Sequence, residues 1–222
     1  MPPFEWSKAQ EGEIEWWKQH SERTPTWGAG GICRYPAYME AFGGHFSRES
    51  ILDVGSGAFP LVMWIKGCRR RISLDPLNSR FAAEGFARDP EVEYLDGVAE
   101  KLPFPDRSVD QVLLLNMLDH LADWRTAVDE AIRVAKHSVI VHVHIETVFA
   151  GDGLHVALKE ADLVNHLERV HGGERWNFSY PKEFRPFWWR CASLGKRLIS
   201  GRGAGFRIRP EACWAGVLRS GK

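Results

Sequence analysis

The sequence predicts an α/β fold with a doubly wound, mostly parallel sheet, and three observations carry the prediction. Short apolar segments near 50–54, 71–75, 92–95, 109–115 and 138–145 alternate with helix-like segments near 59–67, 78–87 and 124–136. The first apolar segment, Ser50-Ile51-Leu52-Asp53-Val54, runs directly into the turn Gly55-Ser56-Gly57. The second, Arg71-Ile72-Ser73-Leu74, ends on an acid, Asp75, followed by Pro76.

Each element has its own reason. Gly55 and Gly57 let backbone approach a ligand closely, and an acid closing the next strand accepts hydrogen bonds from ribose hydroxyls. A dinucleotide turn of the Gly-x-Gly-x-x-Gly type needs a third glycine at position 60. Pro60 stands there, with no N–H for a pyrophosphate. Its fixed φ suits the start of a helix over 59–67. The turn therefore disfavours NAD and favours S-adenosylmethionine. In the segment 124–136, Val128, Ala131, Ile132 and Ala135 follow the stripe of a helix laid on a sheet. Leu158–Val170 reads as a further helix, with Ala161, Val164, Leu167 and His171 on one face.

Residues 1–45 read as an N-terminal helical extension. Ile14 and Trp17 share a helical face, Thr24–Gly31 is a loop, and a short helix is expected over Tyr35–Phe42. Tryptophan and glycine at this density suit a lid over a ligand, and equally a plain helix packed on the sheet.

The run Val98-Ala99-Glu100-Lys101-Leu102-Pro103-Phe104-Pro105-Asp106-Arg107-Ser108-Val109-Asp110, leading to Asn116 and His120, is the most specific signal. Together with the glycine turn and Asp75 it resembles class I S-adenosylmethionine-dependent methyltransferases, in the branch called methyltransferase domain 11, over roughly residues 48–145. The resemblance implies a Rossmann-like sheet of seven strands with the last antiparallel. Glu211–Arg219 would be that last strand, and strand six would be either Arg175–Phe178 or Leu198–Ile199. Residues 46–222 would then form the methyltransferase domain, with a cofactor-binding core at 46–150 and acceptor-side elements at 151–222.

The same resemblance implies a cofactor site of Asp53, Gly55, Ser56, Gly57, Asp75, Pro76, Val98, Ala99, Glu100 and Asn116. Three positions depart from the family pattern. Val98 stands where an Asp usually reads adenine, leaving that task to the Ala99 backbone with Glu100 or Asp96. Phe59 replaces a small residue in the loop. Ala135-Lys136-His137-Ser138 replaces a Pro-Gly-Gly turn.

Methyl transfer from a sulfonium chiefly requires orientation of the nucleophile, and an oxygen nucleophile usually also requires a base. The resemblance offers His120 for that role, and His155, in the loop after the fifth strand, is the second candidate. Histidine is the side-chain type that exchanges protons near neutrality. Bracing of the next helix would explain His120 as well. His142, His144 and Glu146 have spacing for a metal site, but a hydrogen-bonded pair on a sheet face explains them better, so no metal is expected. Trp176, Tyr180, Phe187, Trp188 and Trp189 suit a ring-shaped acceptor or simple core, and Arg175, Arg185 and Arg190 suit an anionic group.

Composition sets the remaining bounds. Twenty-nine basic residues balance 29 acidic ones, and 44% of the 222 residues are hydrophobic. No apolar run reaches the ~20 residues of a membrane span, and Met1–Glu5 lacks a signal-peptide layout, so a cytoplasmic location is expected. Cys33, Cys68, Cys191 and Cys213 are too scattered for a zinc site or disulfide framework. Residues 182–222 hold ten basic side chains against two acidic ones, which suits an anionic partner or a solvated face.

The expected activity is methyl transfer from S-adenosylmethionine to a small-molecule or carbohydrate-like acceptor, more readily at oxygen. An RNA acceptor, or a binding module without turnover, is the alternative. Oligomeric state is not legible.

Overall fold

The computed structural model describes residues 6–20, 39, 46–121, 123–144, 155–156, 158–170 and 213–219. Its strands are β1 (Ser50–Val54), β2 (Arg70–Leu74), β3 (Val92–Leu95), β4 (Val109–Leu115), β5 (Ala135–His144) and β6 (Cys213–Arg219). They form one sheet in the order β3-β2-β1-β4-β5-β6. The first five are mutually parallel, with Asp53 paired to Ser73 on one side and to Leu113 on the other. β6 runs antiparallel to β5, Val141 opposite Gly216. The strand order reverses between β1 and β4. Open α/β sheets bind ligands at such a point, beyond the carboxyl ends of the strands.

Period-two alternation sends the central strands' side chains to two cores, as a parallel sheet covered on both faces requires. Leu52, Val112, Leu114, Val139 and Val141 pack against Trp124, Ala127, Val128 and Ala131 of α3 (Trp124–Val134). Ile51, Leu113 and Ile140 face the other way. There they meet Ile14 and Trp17 of α1 (Trp6–His20), and Phe81 of α2 (Asn78–Ala83). Trp17 sets its ring edge-on to Phe59 and Phe81 at 5.9 and 6.2 Å. The ion pairs Arg80–Glu11 and Lys18–Glu84 stitch α1 to the α2 region.

Several expectations are corrected. Six strands, not seven, occur among the described residues, and both candidates for the missing strand lie outside them. The helix expected over 59–67 reduces to one 3-10 turn, Leu61–Met63. Pro60 is extended there, at φ −63° and ψ 143°, and brings no side-chain cap. Gly67, at φ 77°, ends the segment. The helix expected over 78–87 stops at Ala83, closed by Glu84 N–H to Arg80 O and by Gly85 at φ 80°. Ala135 is already extended, so α3 ends at Val134 and β5 begins three residues early. In α4 (Glu160–Val170) the buried side is Leu163, His166 and Leu167, while Ala161 is exposed. His166 bonds Asp129 of α3 at 2.7 Å, which fixes that rotation.

Apart from Met39, the expected helix at Tyr35–Phe42 lies outside the described residues. So do the loop Thr24–Gly31, Glu146, the aromatic and arginine candidates after 175, and the basic segment short of β6. No helix among the described residues is long and apolar enough to cross a membrane.

Candidate cofactor and acceptor site

The glycine turn lies at the reversal of strand order. Gly55 N–H donates to Leu74 O at 2.8 Å, latching the ends of β1 and β2 together. Gly55 and Gly57 have φ of 61° and 66°, a region costly for other residues. Space forbids a side chain as well. A Cβ at Gly55 would lie 2.8 Å from Met117 Cβ, and one at Gly57 would lie 2.7 Å from the Trp17 ring. Ser56 and Ser73 share a hydroxyl hydrogen bond of 2.7 Å across the two strand ends. Phe59 turns into the aromatic cluster of the α1 and α2 face, against Phe86 at 5.6 Å.

Two buried acids flank this turn. Asp53 Oδ2 accepts from Leu61 N–H at 2.6 Å, so it braces the loop from within. Burial pushes its carboxyl up to about 7. Asp75 reaches the glycine turn: Oδ2 accepts from Gly57 N–H and Oδ1 from Leu77 N–H, each at 2.9 Å. Burial pushes this carboxyl up to about 6, the two N–H donors pull against it, Glu13 of α1 adds to the rise, and Arg88 opposes it. Pro76 follows, half-buried, and directs the chain into α2.

A third strip comes from the run after β3. Val98 is 37% exposed and Ala99 buried, with Glu100 half-buried beside them. Asp96 is committed elsewhere, accepting from both N–H and hydroxyl of Ser79 at the start of α2. The Leu102–Asp106 stretch is clamped by α3. Glu130 accepts from Leu102 N–H at 2.8 Å, and Arg133 donates to Leu102 O, Phe104 O and Asp106. Neither Glu130 nor Arg133 is marked by sequence reasoning, because a helix surface pair carries no motif. Their spacing of three was the only available signal.

Beyond β4, Asn116 adopts φ 58° and donates its N–H to His142 O at 2.7 Å. Its Oδ1 is buried without a hydrogen-bond partner. A buried acceptor in that state costs free energy until a donor arrives. The 3-10 turn Leu118–His120 follows. His155 returns to it, its ring centroid 4.4 Å from that of His120. Val156 N–H donates to Asp119 O at 2.6 Å and ties the two segments. The structure thus joins two candidates that the sequence holds far apart. His142 lies buried on β5; of the trio suggested with it, the side chains of His144 and Glu146 fall outside the described residues.

The arrangement suits a ligand rich in donors. A carboxylate (Asp75) and an orphaned amide oxygen (Asn116) flank the turn, and Val98 offers an apolar rim for a flat ring.

Comparison with known proteins agrees with this geometry. Residues 52–143 match the family described as methyltransferase domain. The uncharacterised methyltransferase YcgJ of Bacillus subtilis is 34% identical over 98 residues, which are 40% of this chain and 38% of that protein. The matched segment therefore spans well under half the length of this curated relative. An S-adenosylmethionine-dependent methyltransferase of Thermotoga maritima superposes with a TM-score of 0.58 at 18% identity, covering 96% of this chain and 98% of its own. The 1,6-didemethyltoxoflavin-N1-methyltransferase of Burkholderia thailandensis, solved with its substrate and S-adenosylhomocysteine, gives 0.55 at 14% identity, covering 97% and 85%. Glycine turn, strand-end acid, clamped Leu-Pro-Phe-Pro-Asp run and sheet order fall within or beside residues 52–143, the segment that matches the methyltransferase domain.

Proposed function

We propose that this protein transfers a methyl group from S-adenosylmethionine to an oxygen of a small-molecule or carbohydrate-like acceptor. The observation that carries the reading is the Asp75 carboxylate, held between Gly57 N–H and Leu77 N–H where the strand order reverses. There it would accept from the ribose hydroxyls. Asn116 Oδ1, buried and lacking a partner, would accept from the ammonium of the amino-acid end. Val98 and the backbone at Ala99 would border the adenine, with Glu100 alongside. When bound, the cofactor supplies a methyl carbon already activated by a sulfonium.

The chain's own work is then orientation and proton handling. His120 and His155, with ring centroids 4.4 Å apart, offer neighbouring imidazoles to an acceptor hydroxyl and can take up its proton. That pair favours oxygen over an amine, which needs only to arrive unprotonated. The Burkholderia protein, by its name, methylates 1,6-didemethyltoxoflavin at N1, so this fold accommodates a small-molecule acceptor.

Titration calorimetry with S-adenosylmethionine and S-adenosylhomocysteine tests the cofactor half. Absence of binding to the unmodified protein would end the proposal. Labelled-methyl transfer to a panel of hydroxylated small molecules tests the other half. His120→Ala and His155→Ala should each lower turnover at least about tenfold while cofactor affinity stays within about twofold. Equal loss of both would assign the pair to structure. An RNA acceptor would instead show affinity falling steeply with salt.

A further inference from the structure

Asp119, His120 and His155 each present one ligand-type atom, and those atoms all lie within 4.8 Å of one another. We propose that this triad is a binding site for one divalent transition-metal ion of the zinc class. The inference rests on the proposed function and refines its acceptor end. With the ion bound, His120 and His155 would hold the metal, and the metal, rather than a free imidazole, would acidify the acceptor hydroxyl, whose proton passes to solvent. The ion's binding can be tested independently of methyl transfer.

Three features carry it. The donor set is chemically apt: two imidazole nitrogens and a carboxylate oxygen form the three-ligand sites that zinc-class ions occupy with a further position open. The spacing is apt as well. Ligands at about 2.1 Å from a common tetrahedral ion stand about 3.4 Å apart, so atoms within 4.8 Å need only small side-chain rotations to share one. Finally, Asp119 is 2% exposed and its Oδ1 has no hydrogen-bond partner. A buried carboxylate oxygen left in that state is costly, and a cation beside it would remove the cost. The Val156 N–H to Asp119 O bond holds the His155 segment against the 3-10 turn, so the ligand set is assembled by backbone as well as side chains. The open position would take an acceptor hydroxyl or carboxylate oxygen, selecting acceptors with hard oxygen donors.

The test is a Co²⁺ titration of chelator-treated, tag-free full-length protein, followed by visible absorption, with Zn²⁺ as competitor. The unmodified protein should bind one equivalent with tetrahedral-type bands that Zn²⁺ abolishes. H120A, H155A and the near-isosteric D119N should each weaken binding at least about tenfold. H137A alters an exposed histidine paired with Asp110 and should bind as the parent does. Thermal melts of every variant identify loss of fold, and H155A, at a half-buried position, keeps the test decisive if D119N unfolds. Parent binding no tighter than that of H120A, or an equal loss in H137A, overturns the inference. Cofactor calorimetry on the same samples separates the two readings. Metal binding without cofactor binding sinks methyl transfer and keeps the ion; the reverse sinks the ion and keeps methyl transfer.

Discussion

On the proposed function, Asp75 would couple cofactor affinity to pH, and the coupling can be calculated. Burial holds its carboxyl near 6, so about nine-tenths is ionised at pH 7 and about one-tenth at pH 5. Hydroxyl donors from a ribose need the carboxylate, so affinity is present above that value and lost as pH falls through it. The ratio of ionised fractions predicts about tenfold weaker binding at pH 5 than at pH 7, or about 1.4 kcal/mol. At pH 6, binding should release about half a proton, visible as a dependence of the calorimetric enthalpy on buffer ionisation heat. S-adenosylhomocysteine is the suitable probe, being stable and free of the sulfonium charge. Asp75→Asn should bind more weakly and lose the pH slope.

Other groups near Asp75 need controls. Glu13 of α1 and Arg88 face it, and Asp53 titrates near 7 from within the loop. Asp53→Asn should therefore keep the slope. Acid unfolding through these two carboxyls does not confuse the measurement. Both are raised above the unfolded value, so their contribution to stability is complete below about pH 4 and is lost as pH rises through 6 and 7. A parent affinity flat within twofold from pH 7 to 5, or the same slope in Asp75→Asn, would refute the reasoning.

Substitutions at three further positions probe the scaffold. Trp17→Ala empties a buried site in the aromatic cluster and should cost roughly 3–5 kcal/mol in urea unfolding; a loss under about 1 kcal/mol would mean that α1 is not core. Gly57→Ala should cost about 1–2 kcal/mol for its φ and a further 1–3 for displacing the Trp17 ring, and in a Trp17→Ala background only the first part should remain in thermal melts. Asn116→Gly should retain stability, because glycine accepts φ 58°, while losing cofactor affinity. Asn116→Ala should lose both, by about 1–2 kcal/mol in stability, and equal stability of the two variants would show that the backbone there is unstrained.

The parallel strands were legible because each is an apolar run bounded by turn residues, a pattern that survives without tertiary information. The helix after β1 was not legible. Leu61–Ile65 is apolar enough for one, but length and composition cannot reveal that Asp53 captures Leu61 N–H or that Pro60 stays extended. The tight turn after β1 and the acid that reaches it were readable from Gly55, Gly57 and Asp75, since a positive-φ turn at a strand end calls for glycine. Asp53 and Asp96 were not separable by sequence from ligand-facing acids, and both turn out to hold backbone. The meeting of His120 with His155 rests on a chain return after β5, and no local pattern encodes such a contact.

The missing crossover helix explains the role of the N-terminal segment. A link between parallel strands ordinarily supplies a helix that covers the sheet. Residues 55–69 instead yield one 3-10 turn, and Phe59, Leu61, Val62 and Ile65 cover only part of the cluster around Ile51, Leu113 and Ile140. Ile14 and Trp17 are buried against that same cluster, so α1 fills in for the crossover as well as bordering the crevice. A lid that swings free would expose this core at a cost of several kcal/mol, which argues for a fixed wall. The ring that replaces the absent helix also closes over Gly57, next to the N–H that holds Asp75. Packing of α1 and ionisation of Asp75 therefore meet at one residue, and on the proposed function a substitution on α1 that loosens Trp17 should alter the pH at which the cofactor is released.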